Sequence, residues 1–148
     1  MHDADSGVTL AIALADFETS PSLRVLKDRI ERFEISADAK SLLLDVAELT
    51  FHVGGKVVAF GRKILAFVID LATRFQNVLF GIMIALVLSV VLASVPLLGP
   101  AIAAILTPLM LAFGIGRRAL EDFRNSAVQG EIEQLRQRVA ILSAHAVA

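Results

Sequence analysis

The amino-acid sequence predicts an all-α membrane protein: a cytoplasmic helical pair, an amphipathic interfacial helix, a two-helix membrane hairpin and a C-terminal amphipathic, coiled-coil-like helix. Three observations predict it. No ionisable side chain occurs between Arg74 and Arg117, a run of 42 residues; a membrane-spanning helix needs about 20. Pro96-Leu97-Leu98-Gly99-Pro100 divides that run in two, because proline cannot continue a helix and glycine weakens one. On either side of the run, apolar residues recur at spacings of three and four, the helical period. Mean hydropathy is +0.72 and 56% of the 148 residues are hydrophobic, above the roughly 45–50% of soluble domains.

Residues 1–53 form the cytoplasmic helical region. Val8, Leu10, Ile12 and Leu14 alternate with smaller residues, which fits a strand; a short helix is the alternative. Ser20-Pro21 provides an N-cap followed by proline at the first helical position. Leu23, Leu26, Ile30 and Phe33 then line one stripe of a helix over 21–34. Ser36 caps a second helix over 37–53, which Gly54-Gly55 ends or bends. Two helices this short bury little apolar surface alone, so they call for a membrane, a partner chain or a second copy.

Residues 54–74 form a basic amphipathic helix. Lys56, Lys63, Asp70 and Arg74 fall within about 40° of one another at 100° per residue, and Arg62 sits beside them. Val57, Phe60, Ile64, Phe67, Val68 and Leu71 occupy the remaining face. Such a helix suits the membrane interface, with cations on lipid phosphates and apolar side chains in the acyl boundary; packing on the protein's own core is the alternative. Lys56, Arg62, Lys63, Arg74, Arg117 and Arg118 are the expected lipid-interface residues, and anionic head groups the expected partners.

Residues 75–116 form the hairpin, with helices over 75–95 and 101–116 and Pro108 as a kink in the second. Gly81, Ala85, Ser89 and Ala93 recur every fourth residue in the first helix, and Ala104, Pro108, Ala112 and Gly116 in the second. Small residues on one face let membrane helices approach closely. Residues 117–148 form a C-terminal cytoplasmic helix, with Asn125-Ser126 and Gly130 as interruptions. Its Val128, Ile132, Leu135, Val139 and Leu142 form a heptad seam for oligomerisation.

Charge sets the orientation. Residues 1–53 carry a net −5, 54–116 a net +3 and 117–148 a net +1. Arg62, Lys63 and Arg74 precede the hairpin, Arg117, Arg118 and Arg124 follow it, and its turn is uncharged. The positive-inside rule therefore places both termini in the cytoplasm, at the plasma (inner) membrane. Met1–Ser20 carries acidic residues where a signal peptide would be basic. The absence of a large basic face argues against nucleic acid as a partner.

Chemistry is sparsely provided. There is no cysteine, which excludes disulfides and thiolate chemistry. His2, His52 and His145 are isolated, and Gly54-Gly55-Lys56 lacks the spacing and the Ser/Thr of a phosphate loop. No nucleophile–base pair or ligand cluster occurs, so no metal, cofactor or enzymatic activity is expected. The hairpin has no ionisable group for a proton relay; Gln76, Asn77, Ser89, Ser94 and Thr107 alone could face water there, so a pore would be weakly selective.

In its hairpin topology the chain resembles two-helix holins and small membrane effectors, which keep both ends inside and join the helices by a short turn. The proline-containing turn is also similar to that of hairpin proteins that shape bilayers. The likeness covers only the hairpin and transfers no residue. The sequence thus leads to a homo-oligomeric, membrane-permeabilising protein, or alternatively to a non-enzymatic anchor that recruits a cytoplasmic protein partner through 21–53.

Overall fold

The computed structural model describes residues 10–15, 17–53, 55–75, 79–123 and 125–147, and it is mostly helical. Residues 10–15 form α1 and 17–18 are again helical, so the alternation over 8–17 produces helix in its described part; Val8 and Thr9 lie outside the described residues. The remaining helices are α2 (Leu23–Glu31), α3 (Ala37–Ala47), α4 (Phe60–Arg74), α5 (Phe80–Ser94), α6 (Gly99–Phe113), α7 (Arg117–Glu121) and α8 (Ser126–Ala144).

Local chemistry sets the boundaries. Ser22, not Ser20, caps α2, its Oγ accepting from the Val25 N–H at 3.3 Å, while the Ser20 hydroxyl donates back to the Phe17 carbonyl. Ser36 caps α3, accepting from Ala39 N–H at 3.1 Å, and Asp38 in the first turn suits the positive end of the helix dipole. The α3 helix stops at Ala47, six residues short of the expected end, because the chain becomes extended. Strand β1 (Phe51–Val53) pairs antiparallel with β2 (Lys56–Val58), with Val53 opposite Lys56. Gly55 has φ +80, a backbone conformation that glycine adopts freely. The expected helix at 56–58 is therefore strand. At the far end of the chain β3 (Ala146–Val147) joins the other edge of β1, His52 opposite Val147.

The turn of the hairpin is a 3-10 segment, Pro96–Leu98, that leads directly into α6. Gly114, with φ +68, closes α6: its N–H bonds the Leu111 carbonyl and the Ile115 N–H bonds Met110 O at 2.9 Å, a left-handed helix stop. Pro108 lies inside α6. The C-terminal region is broken before α8, whose cap Asn125 accepts from the N–H groups of Ala127 and Val128.

Helices α3, α4, α5 and α6 pack in a closed ring, each against the next, with α3 and α6 completing it. Outside the ring, α2 lies on α3 and α4, and α8 lies on α5. Gly61 permits the α3–α4 contact: a Cβ there would fall 1.7 Å from the Val46 carbonyl oxygen, and its N–H bonds Leu49 O at 2.8 Å. At one end of the ring Phe80 stacks on Phe33 with centroids 4.6 Å apart and meets Phe113 edge-on at 6.0 Å, joining the start of α5 to the end of α6.

Candidate membrane-contacting surface

The two arms of the apolar run occupy different environments. In α5 the residues Met83, Ile84, Ala85, Val87, Leu88 and Val91 are all buried. Helices α4, α6 and α8 surround it. In α6 only Ile102 and Leu109 are fully buried, and the outward side exposes Pro100, Ala104, Thr107, Pro108 and Leu111. Leu111 is 76% exposed and Leu97, at the turn, 45%. Among the described residues one helical stretch, Pro96–Phe113, is long and apolar enough to cross a membrane, and 11% of it is buried; Phe80–Val91 is apolar but shorter.

The rows of small residues divide in the same way. Gly81 and Ala85 are buried, Ser89 is half-buried and Ala93 exposed. A Cβ at Gly81 would lie 2.7 Å from Ile115 Cδ1 and 2.8 Å from Phe113 Cγ, so this glycine lets the hairpin close on itself. In α6, Ala104 and Pro108 are exposed and Ala112 half-buried, and Gly116, beyond the end of the helix, is exposed. Each row suits either the hairpin's internal contact or a neighbour's, and of the first row Gly81 lies against the end of the other arm. The second row faces outward because α6 turns its larger side chains, Ile102 and Leu109, into the ring. Ser89 and Ser94 donate their hydroxyls to the Ala85 and Val90 carbonyls at 2.7 and 2.9 Å. Gln76 and Asn77 lie outside the described residues.

The heptad seam folds back on its own chain. Val128, Ile132, Leu135, Val139 and Leu142 are all buried, none more than 5% exposed, and α8 packs on α5. The periodicity describes a buried stripe, and its partner in this structure is α5. The reason is mutual: the outer side of α5 is as apolar as the seam and lies within the same chain.

The predicted lipid-facing side of α4 also turns inward. Phe60, Ile64, Leu65, Val68, Ile69 and Leu71 are buried, and a wide apolar stripe is satisfied equally by lipid or by a protein core. Lys56 Nζ pairs with Glu18 at 3.0 Å. Arg74 bridges Asp70 in its own helix at 3.0 Å and Glu131 of α8 at 3.1 Å; the hydrogen bond to Glu131, more than the charge of Asp70, raises its pKa above the ordinary value. Arg62 and Lys63 are half-buried on α4, and Arg118 is exposed on α7. The Arg117 side chain and Arg124 lie outside the described residues, as does His2. Arg136 lowers the Glu133 pKa through its hydrogen bond on the exposed side of α8.

Shallow grooves complete the surface, and three of them lie between elements. Asp38, Ser41 and Leu42 of α3 face Pro108, Leu111 and Ala112 of α6 across one of them. A second, between α2 and α4, is lined by Arg29, Arg32, Phe33, Ile69, Asp70 and Thr73; a third collects Leu23, Glu48, Val57 and Arg62 near the strands. Sequence reasoning missed the β-hairpin and the contrast between α5 and α6; Thr50-Phe51-His52-Val53, Gly-Gly and Val57-Val58 together signalled the former. Among the described residues no group of three or more His, Asp or Glu side chains is placed to hold a metal ion. Comparison with protein-family models, with curated proteins and with solved structures finds no match for this chain.

Proposed function

We propose that this chain is a membrane-permeabilising protein whose α5–α6 hairpin enters the bilayer, with both termini on the cytoplasmic side of the plasma membrane. The observation that supports the reading is the bare, uncharged outer side of α6. Its 18-residue stretch extends about 27 Å at 1.5 Å per residue, close to the ~30 Å of bilayer hydrocarbon. In this reading α6 seats first. The α5 helix then follows it by exchanging α8 and α4 for lipid, and several hairpins assemble around a leak. Serine hydroxyls bonded to their own helix leave the path weakly polar, so the leak passes small solutes with little selection.

Release of an encapsulated dye from vesicles tests this: release that rises steeply with protein concentration is expected, and bound protein on sealed vesicles would overturn it. A Cys pair at Val53 and Ala146, partners in the sheet, sharpens the test in a chain without cysteine. Oxidised, it tethers the end of α8; release should fall several-fold and return on reduction.

The second reading is an anchor, in which α6 docks and nothing follows. The burial of all five seam residues of α8 favours it, since α5 is already satisfied. The cytoplasmic partner would then meet α2, whose outward side exposes Arg24, Lys27, Asp28, Glu31 and Arg32 together with Leu23 and Val25. Vesicles that bind the protein and stay sealed would select this reading.

A further inference from the structure

We infer that the outer side of α6 docks on the hydrocarbon of a lipid bilayer regardless of head-group charge, so that zwitterionic membranes serve as well as anionic ones. The inference rests on the membrane reading above and assigns the contact to a face and a lipid chemistry. At 100° per residue, Pro100, Ala104, Thr107, Pro108 and Leu111 fall within an arc of about 100°, and all five are exposed, as is Leu97 in the turn before them. Thr107 supplies the single polar side chain. A face with neither charge nor aromatic anchor is poorly equipped for a specific protein interface, where buried aromatic and Arg side chains carry the energy. It matches hydrocarbon, which requires only that the surface be apolar and the backbone bonded within the helix.

The rim decides the head-group preference. The α3 helix borders the face: Asp38 lines the groove between α3 and α6, and Asp45, exposed and seven residues on, falls nearly in line with it at 100° per residue. Arg118 of α7 follows the end of α6. The cations Lys56, Arg62, Lys63 and Arg74 belong to α2's neighbour α4 and the strand before it, and α4 occupies the corner of the ring diagonal to α6. With α6 seated, they point away from the lipid phosphates, and Lys56 and Arg74 are already paired with Glu18, Asp70 and Glu131. Anionic head groups would meet Asp38 and Asp45 together with Arg118, whose charge the two carboxylates offset, so negative lipid adds nothing net to the docking.

The test uses the full chain, which has no Trp or Tyr, so that Leu111→Trp makes α6 the sole strong emitter. Flotation with phosphatidylcholine vesicles and with vesicles doped with phosphatidylglycerol should be equal, and the emission should shift to the blue equally in both. Ala104→Glu, at an exposed position, should keep the helical spectrum and thermal midpoint and reduce flotation roughly tenfold or more; Arg62→Gln should leave it unchanged. Flotation that requires phosphatidylglycerol and falls with Arg62→Gln would overturn the inference while leaving a membrane function standing. Equal flotation that survives Ala104→Glu without a blue shift would overturn the assignment of the face. Absence of flotation with either vesicle would overturn the inference and the membrane reading together.

Discussion

The two arms of the hairpin are made of the same kinds of residue and have opposite fates. The α5 helix is enclosed by α4, α6 and α8, whereas α6 covers α3 and α5 with one side and leaves the other bare. The difference lies in the helices beyond the apolar run. The seam of α8 supplies a stripe complementary to the outer side of α5, and among the described residues no element supplies one for the outer side of α6. Hydropathy alone therefore does not determine which apolar helix is available to lipid; the sequence of an amphipathic helix about forty residues later does.

The sharpest way to break this comparison is to truncate equivalent leucines. Leu88→Ala, in α5, should cost about 2–5 kcal/mol in urea melts through the lost burial and the cavity. Leu111→Ala, on the bare side of α6, should stay within about 0.5 kcal/mol. Equal losses would mean that α6 is covered in solution. Next in size, Gly81→Ala should destabilise by roughly 1–3 kcal/mol, because its methyl group would press Phe113 and Ile115 apart from α5; a neutral result would show that the end of α6 yields freely.

A smaller effect is expected where α8 is tied to the ring. Arg74→Ala removes the bridge to Glu131, but Arg74 is 44% exposed, so the loss should be at most about 1 kcal/mol and should shrink in high salt. A loss unaffected by salt would indicate packing by the Arg stem instead. The smallest effect concerns Glu133, held below its ordinary value of 4.5 by Arg136. A depressed folded pKa contributes stability above the unfolded value, which is lost as pH falls through the folded one. The pair is solvent-exposed, so Glu133→Gln should leave the neutral-pH melting temperature within error. Any difference should be confined to neutral or mildly acidic solution and vanish in strong acid.

Much of this architecture is legible in the residues. The uncharged run, a turn beginning at Pro96, Ser36 as a cap and the α8 stripe all correspond to elements of the structure, although Gly99 and Pro100 already belong to α6, because caps, prolines and helical period act locally. The partner of each stripe is not legible. Val128 through Leu142 would repeat in the same way for a coiled coil or for a groove on α5, and the apolar side of α4 would look the same against lipid or against α3 and α5. The β-hairpin was present in the residues but shared its glycines with a simpler explanation, the end of a helix. The bare face of α6 could not be read at all, since exposure depends on which segments fail to cover it.

The place of α8 in the chain has a consequence in time. At about 5–20 residues per second, synthesis of the stretch from the end of α5 to the end of α8, Ser94 to Ala144, lasts roughly 2–10 s. During that interval the outer side of α5 exists without its cover, and both arms of the hairpin are open to whatever apolar surface lies nearby. Vesicles supplied during cell-free translation should therefore capture more inserted hairpin than vesicles supplied afterwards; equal capture would show that α8 leaves α5 as readily as it arrives. In the membrane reading proposed above, the order of the segments makes nascent chains and finished molecules different competitors for the same bilayer.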